Sequence, residues 1–355
     1  MTRSGTDTPR IVDLAERLVA DIEMRKLKPG DRYLTTADAS KMLGVGNGLA
    51  NRALQLLERR EIITRQQRRG AFIAHLPGES AMPPLRRVHF LAHQNYLASE
   101  GIGNDMVLLG MQDELPGVHV QISFLPEANP AGFVADLINQ SLTAKARDGF
   151  ILVRAPYEVH QLVSNSGMPA LIYGGRYPGI TRLSRLDRDM AAVGYSATDY
   201  LLNKGHKRIA FLTRQQALPG DHDTLDAIRH RLSEAALTPS AITERFLPPA
   251  TNVCEAEVQR LLRQTAPPTG FICRTLRMAE AVTSVAKKQK MGKSVDVVLC
   301  DYYLTGNQKP QYVYPRPLYS SEEQGKHIAR MLAAMARGDV VPDEIIPVSL
   351  DITEE

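Results

Sequence analysis

The sequence predicts an α/β protein with two parts, a small N-terminal module of helices and a hairpin, and a larger domain of parallel strands covered by helices. Three observations indicate this. The chain has 355 residues, more than one hydrophobic core usually supports. The first 76 residues read as helices followed by two short strands. From Val88 onward, short apolar runs alternate with longer amphipathic stretches, which is typical of βαβ units.

Composition places the chain among soluble globular proteins. Hydrophobic residues make up 43% and charged residues 23%, and no run of 18 apolar residues could cross a bilayer. The first residues lack the apolar segment of a secretory signal, so we expect a cytoplasmic protein with no membrane partner. Cys254, Cys273 and Cys300 are odd in number and widely spaced, which predicts reduced, mostly buried thiols and neither a disulfide framework nor a zinc site.

Positive charge is concentrated at the N-terminal end. Residues 1–87 contain 16 Lys and Arg against 10 Asp and Glu, a net charge of +6, whereas the whole chain carries +4. The remaining residues therefore carry a net charge of −2. A small basic module on a near-neutral body suits the binding of a polyanion such as nucleic acid.

The sequence before residue 45 predicts two helices. Apolar residues recur at helical spacing over positions 11–22, and Pro29 ends that pattern. A second helix is expected after Thr35 or Thr36 as N-cap, with Gly44 just beyond its end. These two helices form the beginning of the module.

A third helix and a hairpin complete the N-terminal module. Asn47 is expected to cap the third helix, which follows a tight turn. Two short strands, 62–65 and 71–74, flank a polar and basic tip that contains glycine. Two helices joined by a tight turn and followed by a hairpin have the order of a winged helix-turn-helix.

Residues 27–74, which read LKPGDRYLTTADASKMLGVGNGLANRALQLLERREIITRQQRRGAFIA, resemble the DNA-binding domain of GntR-family regulators. In that family the helix after the turn enters the major groove, and the wing reaches the phosphates and the minor groove. Proteins of that family bind a pseudo-palindromic operator in double-stranded DNA as dimers, and the resemblance implies the same for this chain. The resemblance implies that the third helix of this chain reads bases.

The chain departs from that family at two places. It has residues 34–37, Leu-Thr-Thr-Ala, where the family usually has Pro-Ser-x-Arg, and Gly46-Asn47 where the family has Ser-Arg. Other arginines are then expected to contact phosphates, and amide side chains to contact bases, because amides pair bidentately with adenine. The predicted DNA-binding residues are Thr35, Thr36, Asn47, Gly48, Asn51, Arg52, Gln55, Arg68, Arg69 and Gly70. A solvated helix face, or a protein-interaction module, is the alternative.

The segment 75–87, HLPGESAMPPLRR, has the composition of an extended connector. We therefore predict a DNA-binding module over 1–76, a linker over 77–87 and a large domain over 88–355. Predicted strands of the large domain are 88–92, 118–124, 149–153, 170–173, 209–212, 270–273 and 295–300; predicted helices are 105–115, one ending near 144, 191–204 and one ending near 288.

Four segments of the large domain resemble the effector domain of LacI-family regulators, which is related to periplasmic sugar-binding proteins. They are 186–213, 270–282, 295–303 and 314–335, and they occur in the order that the family has. The resemblance implies two doubly wound lobes of the periplasmic binding protein type I kind. It also implies a ligand cleft between the lobes and a side face that forms a homodimer.

Ligands of open α/β sheets bind beyond the carboxyl ends of the strands. By the resemblance, Thr275 and Asp301 fall where the family places polar sugar contacts. Thr224, however, stands where the family has a ligand-binding arginine, and Thr275-Leu276 replaces an Asn-Asp pair. The predicted ligand-binding residues are Gln94, Tyr96, Arg154, Arg176, Arg214, Arg274, Thr275 and Asp301.

The four arginines of this set have two interpretations. They could surround the cleft and clamp an anionic effector, such as a sugar acid or sugar phosphate. Alternatively, they pair with carboxylates of the chain itself and stabilise the contact between lobes. The carboxylates available for such pairing are Asp187, Asp189, Asp221 and Asp301.

The sequence therefore predicts a dimeric transcription regulator, most simply a repressor, whose large domain senses a small molecule such as a sugar or sugar derivative. No enzyme and no cofactor is expected, because nucleotide-binding glycine motifs and an arguable catalytic triad are absent. His89 and His93 are interpreted as structural or cleft-lining residues. The alternatives are a large domain that only dimerises, a cytoplasmic solute-binding protein without a DNA role, and a hydrolase or transferase on a similar scaffold.

Overall fold

The computed structural model describes residues 7–60, 62–66, 70–74, 85–93, 105–144, 147–301 and 310–351. Its N-terminal module contains helices α1 (Asp7–Met24), α2 (Thr36–Leu43) and α3 (Asn47–Arg59), and strands β1 (Ile63–Gln66) and β2 (Gly70–Ile73). Strands β1 and β2 pair in antiparallel register. The predicted order of helices and hairpin is confirmed, and each strand is displaced by one residue from its predicted position.

Local capping explains where α2 begins and ends. The Thr35 hydroxyl accepts a hydrogen bond from the backbone N–H of Asp38, whose carboxylate reaches back to Thr35, so Thr35 is the N-cap as predicted. Gly44 adopts a left-handed conformation with φ 67°, which glycine enters without steric cost. The prediction for α3 was wrong by one residue, because Gly46 is its N-cap and Asn47 is the first helical residue.

The first lobe of the large domain contains a six-stranded parallel sheet in the order β13-β7-β6-β5-β3-β4. Its strands are β3 (Leu85–His93), β4 (His119–Leu125), β5 (Arg147–Val153), β6 (Ala170–Tyr173), β7 (Ser184–Arg188) and β13 (Glu344–Ile346). Its helices are α4 (Asp105–Glu114), α5 (Pro130–Thr143), α6 (Tyr157–Ser166) and α11 (Ser321–Arg337). Strand β3 begins at Leu85, three residues before the predicted start of the domain, and so includes the end of the predicted linker.

The second lobe contains a four-stranded parallel sheet in the order β11-β10-β8-β9. Its strands are β8 (Ile209–Arg214), β9 (Ile242–Leu247), β10 (Gly270–Cys273) and β11 (Asp296–Leu299). Its helices are α7 (Met190–Asn203), α8 (Pro219–Glu234), α9 (Thr251–Leu262) and α10 (Leu276–Lys288). Two further strands, β12 (Tyr314–Pro317) and β14 (Val348–Asp351), pair antiparallel beside this lobe.

Hydrophobic side chains fill both faces of each parallel sheet. Phe150 and Leu91 belong to the core on one face of the first sheet, whereas Ile151 and Phe90 belong to the core on the other face. This arrangement follows from the strand sequences, which are apolar on consecutive residues and so place side chains alternately toward the two faces. The α/β class and the parallel sheets predicted from the sequence are confirmed.

Helices α4 and α11 cross with their backbones in close contact at two glycines. A Cβ atom added to Gly110 would lie 2.0 Å from the carbonyl oxygen of Glu322, and one added to Gly325 would lie 2.0 Å from that of Val107. Only glycine permits this approach. The helix pair attaches the C-terminal α11 to the beginning of the first lobe.

Three remaining predictions concern thiols, histidines and membranes. Cys254, Cys273 and Cys300 are free and buried, as predicted. His89 is buried within the first lobe, where it contacts Asp148 at 3.4 Å and stacks on Phe150, so it is structural. None of the helices in the described ranges is both long and apolar enough to span a bilayer.

Candidate functional site

The exposed face of α3 carries most of the predicted DNA-binding side chains. Asn47, Gly48, Arg52 and Gln55 are exposed and Asn51 is half-buried. The opposite face of α3 is buried in the core of the module through Ala50, Ala53, Leu54 and Leu57. The 3.6-residue helical repeat separates these two faces, so the polar side chains form one continuous surface.

Arg65 on strand β1 belongs to this surface, although sequence reasoning missed it. Its Nη2 donates to Asn51 Oδ1 at 2.8 Å and to Thr36 Oγ1 at 3.3 Å. The guanidinium group thus connects the hairpin to both α2 and α3. A basic residue on the first strand of the hairpin was the available signal, but its partners depend on how the hairpin packs.

The other predicted residues of the module have different positions. The Thr35 hydroxyl accepts from the backbone N–H of Asp38 at 3.3 Å and donates to the Asp38 carboxylate at 2.7 Å, so it caps α2. Gly70 begins β2 with φ 97°, a conformation that favours glycine. Arg68 and Arg69, at the hairpin tip, lie outside the described residues.

A cavity of about 100 Å³ lies between the two lobes, at the carboxyl ends of the strands. The first lobe contributes residues at the carboxyl ends of β5, β6 and β7 and residues of α6 and α11. The second lobe contributes residues at the carboxyl ends of β8, β10 and β11 and at the beginning of α8. Parallel strands bring their carboxyl ends to one edge of each sheet. The lining side chains with polar groups are Arg154, His160, Tyr173, Tyr177, Asp187, Arg188, Arg214, Arg274, Asp301 and Gln324.

Three arginines and two aspartates form a buried ion-pair network at this cavity. Arg214 Nη1 lies 2.9 Å from Asp221 Oδ1, and its Nη2 lies 3.3 Å from Asp301 Oδ2. Arg274 pairs with Asp221 through Nε, and its Nη1 lies 3.1 Å from Asp301 Oδ2. Arg188 pairs with Asp301. Each carboxylate therefore contacts at least two guanidinium groups.

Burial and neighbouring positive charge shift the pKa values of the aspartates around this cavity in opposite directions. Burial alone would raise the pKa of Asp221, yet the guanidinium groups of Arg274 and Arg214 hold it below its usual value. Burial raises the pKa of Asp187 to about 6, because Arg188 and Arg185 compensate it only in part. Asp221 is thus the firmly ionised centre of the network.

The structure brings together four of the eight predicted ligand-binding residues, Arg154, Arg214, Arg274 and Asp301. Arg214 and Arg274 pair with carboxylates of the chain, as in the second interpretation above. Arg176 does not line the cavity, because it donates to Asp343 Oδ1 at 2.9 Å and to the Leu183 carbonyl oxygen at 3.0 Å. Arg176 follows β6, and its side chain extends to Asp343, the residue just before β13.

The remaining predicted residues fall elsewhere. Thr275 is the buried N-cap residue of α10 and is not among the lining residues. Asp189 is not a partner of the cleft arginines, because its side chain caps α7 by accepting from the Ala192 N–H at 2.8 Å. Gln94 and Tyr96 lie outside the described residues. Arg188 and His160 line the cavity, and sequence reasoning assigned neither to it.

His160, on α6, is a polar side chain of the cavity wall whose ring nitrogens have no hydrogen bonds among the described residues. It is 1% exposed, and neither ring nitrogen has a partner in the described part of the chain. Burial lowers its pKa to about 4, so the imidazole is neutral at neutral pH. Its ring meets the Tyr177 ring edge-on at a centroid distance of 5.1 Å.

A second, wider opening of about 720 Å³ lies beside the N-terminal ends of α7 and β13. It is a groove open to solvent, lined in part by the charged residues Arg185, Asp223 and Asp226. It shares only Asp187, Arg188 and Met190 with the cavity. Because ligands of open α/β sheets bind at the carboxyl ends of the strands, among convergent polar groups, the cavity between the lobes is the stronger candidate. No group of three potential metal ligands occurs among the described residues.

Comparisons with known proteins agree with this architecture. A family model described as a periplasmic binding protein-like domain matches residues 198–351. The HTH-type transcriptional repressor CytR of Escherichia coli is 23% identical over 206 residues, which cover 53% of this chain and 59% of that relative. The chain thus spans about three-fifths of the length of the curated relative.

Solved structures extend the match to the first lobe. A LacI-family regulator from Bifidobacterium animalis superposes with a TM-score of 0.63 at 17% identity and covers 76% of this chain and 96% of its own. The large domain has the LacI-type, periplasmic-binding-protein-like fold. The complex of the regulator CelR with cellobiose gives a TM-score of 0.62 at 17% identity, over 90% of this chain and 99% of its own. CcpA of Lactococcus lactis gives 0.61 at 12% identity, over 76% and 98%.

Proposed function

We propose that this protein is a DNA-binding transcription regulator, acting in the cytoplasm as a repressor and without catalytic activity, whose large domain responds to a small molecule such as a sugar or sugar derivative. The observation that carries the proposal is a helix-turn-helix with an exposed amide-rich helix, in the same chain as a two-lobed LacI-type domain with a cavity at its strand ends. The named repressor CytR and the cellobiose complex of CelR support it as similar proteins.

The N-terminal module is proposed to be a winged helix of the GntR type. In this arrangement α3 enters the major groove, where Asn47, Asn51 and Gln55 face base edges. Arg52, together with the arginines of the hairpin, contacts phosphates. Because Arg65 holds Asn51 Oδ1, the orientation of the Asn51 amide is set before DNA arrives.

A homodimer is proposed through the edge of the first lobe. β4 is the outermost strand of its sheet, and its Ile122 and Phe124 are exposed although both are large and apolar. They are two residues apart and therefore share one face of the strand. Leu109 on α4 is exposed as well. Large apolar side chains exposed at a sheet edge are typical of protein interfaces, and a symmetric dimer would present two α3 helices to a pseudo-palindromic operator.

Ligand control is proposed to act through the relative position of the lobes. The cavity has walls from both lobes, so a molecule bound there contacts both and favours the closed arrangement. Such a ligand shifts the balance between DNA-competent and incompetent forms by no more than its difference in affinity for the two.

Selection of duplexes from a random DNA pool by the purified full-length protein tests the DNA role. We expect an enriched palindrome whose affinity falls as salt rises from about 50 to about 200 mM, since phosphate contacts release counterions. Weak binding without sequence preference would contradict the proposal.

One alternative is favoured by a specific observation. Because the cavity arginines Arg214 and Arg274 already pair with Asp221 and Asp301, the large domain could serve dimerisation alone. Operator affinity that no sugar, sugar acid or sugar phosphate changes would favour this alternative.

A further inference from the structure

His160 occupies an unusual position for a buried histidine. Folded proteins pair nearly all of their buried polar atoms, and an unpaired one calls for an explanation. Both ring nitrogens of His160 lack a hydrogen-bond partner among the described residues, although the side chain is almost fully buried. The ring also forms part of the cavity wall. A bound molecule is therefore in a position to supply the missing partner.

The surroundings of His160 restrict the chemistry of that molecule. Neutral imidazole has one N–H donor and one acceptor nitrogen. A hydroxyl group both donates and accepts, so it can pair with either nitrogen, whereas a carboxylate or phosphate dianion can only accept. The three guanidinium groups of the ion-pair network are engaged by Asp221 and Asp301. Asp187, a lining residue with a pKa of about 6, supplies a third negative charge at neutral pH, so the charge of the three arginines is already matched.

We propose that His160 is a ligand-contact residue of the cavity and that it selects a neutral, hydroxyl-bearing ligand over an anionic one. This inference rests on the proposed ligand-binding role of the large domain. Tyr177, packed edge-on against the imidazole, positions the ring. The ion-pair network, which joins Arg188 of the first lobe to Asp301 of the second, then stabilises the contact between the lobes and is not the anion clamp that the arginines suggested.

Replacement of His160 by phenylalanine separates a ligand-contact role from a structural one. The new aromatic ring would retain the packing against Tyr177 but remove both unpaired nitrogens, so we expect the ligand-free variant to melt at a higher temperature than the wild type. If the nitrogens instead stabilised the fold, through bound water for example, the same replacement would lower the melting temperature.

The binding test compares neutral probes with their anionic counterparts by thermal shift and calorimetry on the full-length protein. The pairs are D-glucose with gluconate and glucose 6-phosphate, and D-ribose with ribose 5-phosphate; cellobiose is added as a larger neutral probe. We expect at least one neutral probe to stabilise the wild type. For that probe, His160→Phe should weaken binding at least tenfold, about 1.4 kcal/mol, and His160→Asn should retain part of the affinity.

His230→Phe is the matched control, because His230 lies on α8 with a side chain that is 68% exposed. It should leave both the melting temperature and probe binding unchanged. Stabilisation by anionic probes alone, by no probe, or equally in wild type and His160→Phe would overturn the proposal. The affinities of the wild type and of His160→Phe for the selected DNA duplex are also measured, without any sugar probe. A failure of the wild type to bind DNA would count against the proposed function and not against the role of His160.

Discussion

Asp221 offers a sharp test of the ion-pair network, because a second Asp–Arg pair on the same helix is exposed. The side chain of Asp221 is 1% exposed and contacts Arg214 and Arg274. Asp226, further along α8, is 73% exposed and lies 3.2 Å from Arg229. Replacing each aspartate by asparagine removes one charge and nearly no volume.

The expected magnitudes differ because water screens only one of the pairs. Removing one partner of a buried pair costs about 3–5 kcal/mol, since it leaves a buried charge uncompensated. Asp301 still contacts both arginines in Asp221→Asn, so we expect a cost of about 3 kcal/mol, at the lower end of that range. That is a fall of about 6–12 °C in melting temperature for a domain of this size. Asp226→Asn should cost about 0.5 kcal/mol or less.

The assay is thermal and urea unfolding of the full-length variants, followed by circular dichroism. In the wild type the backbone N–H of Leu218 donates to the Asp221 carboxylate at 2.9 Å. The side-chain amide oxygen of the asparagine in Asp221→Asn can accept the same hydrogen bond. A lost helix cap would therefore not confound the result. If Asp221→Asn is as stable as the wild type, or if the two variants are destabilised equally, the network does not stabilise the large domain as described.

Three further predictions concern pH, packing and DNA. The free energy of unfolding should fall by about 3 kcal/mol as pH decreases from about 6.5 to about 4, because His160 takes up a proton in the unfolded chain but not in the folded chain, where its pKa is about 4. In urea titrations at several pH values, His160→Phe should lack this part of the pH dependence. The same pH dependence in His160→Phe and in the wild type would contradict the prediction. Gly110→Ala should destabilise the protein by about 1–3 kcal/mol through overpacking against α11, whereas Gly292→Ala, with open space around it, should have a melting temperature within about 2 °C of the wild type. Arg65→Ala should weaken operator binding by about 1–3 kcal/mol in fluorescence anisotropy, and equal affinity would show that its contact with Asn51 is dispensable.

The candidate sites were predictable to different degrees. On α3 the helical repeat alone identified the exposed amides, and Asn47 and Gln55 are exposed as that repeat requires. In the cleft, Arg154 and Asp301 were found because they follow strands, a position that the α/β fold gives to ligand contacts. Arg176 also follows a strand, yet Asp343 holds it outside the cavity. His160 lies on a helix and carries no sequence signal of this kind.

What the sequence by itself determined is local. Thr35 and Gly44 delimit α2 through contacts within a few residues, and the apolar runs of the strands indicate parallel sheets buried on both faces. Only the tertiary structure decided which charges meet. Arg214 and Asp301 are 87 positions apart and pair because β8, β10 and β11 are neighbours in one sheet. Among the described residues His160 is left without a hydrogen-bond partner because α6 faces a cavity there. The order of the strands in each sheet and the contact between the two lobes depend on residues that are far apart in the chain, so no short stretch of sequence encodes them.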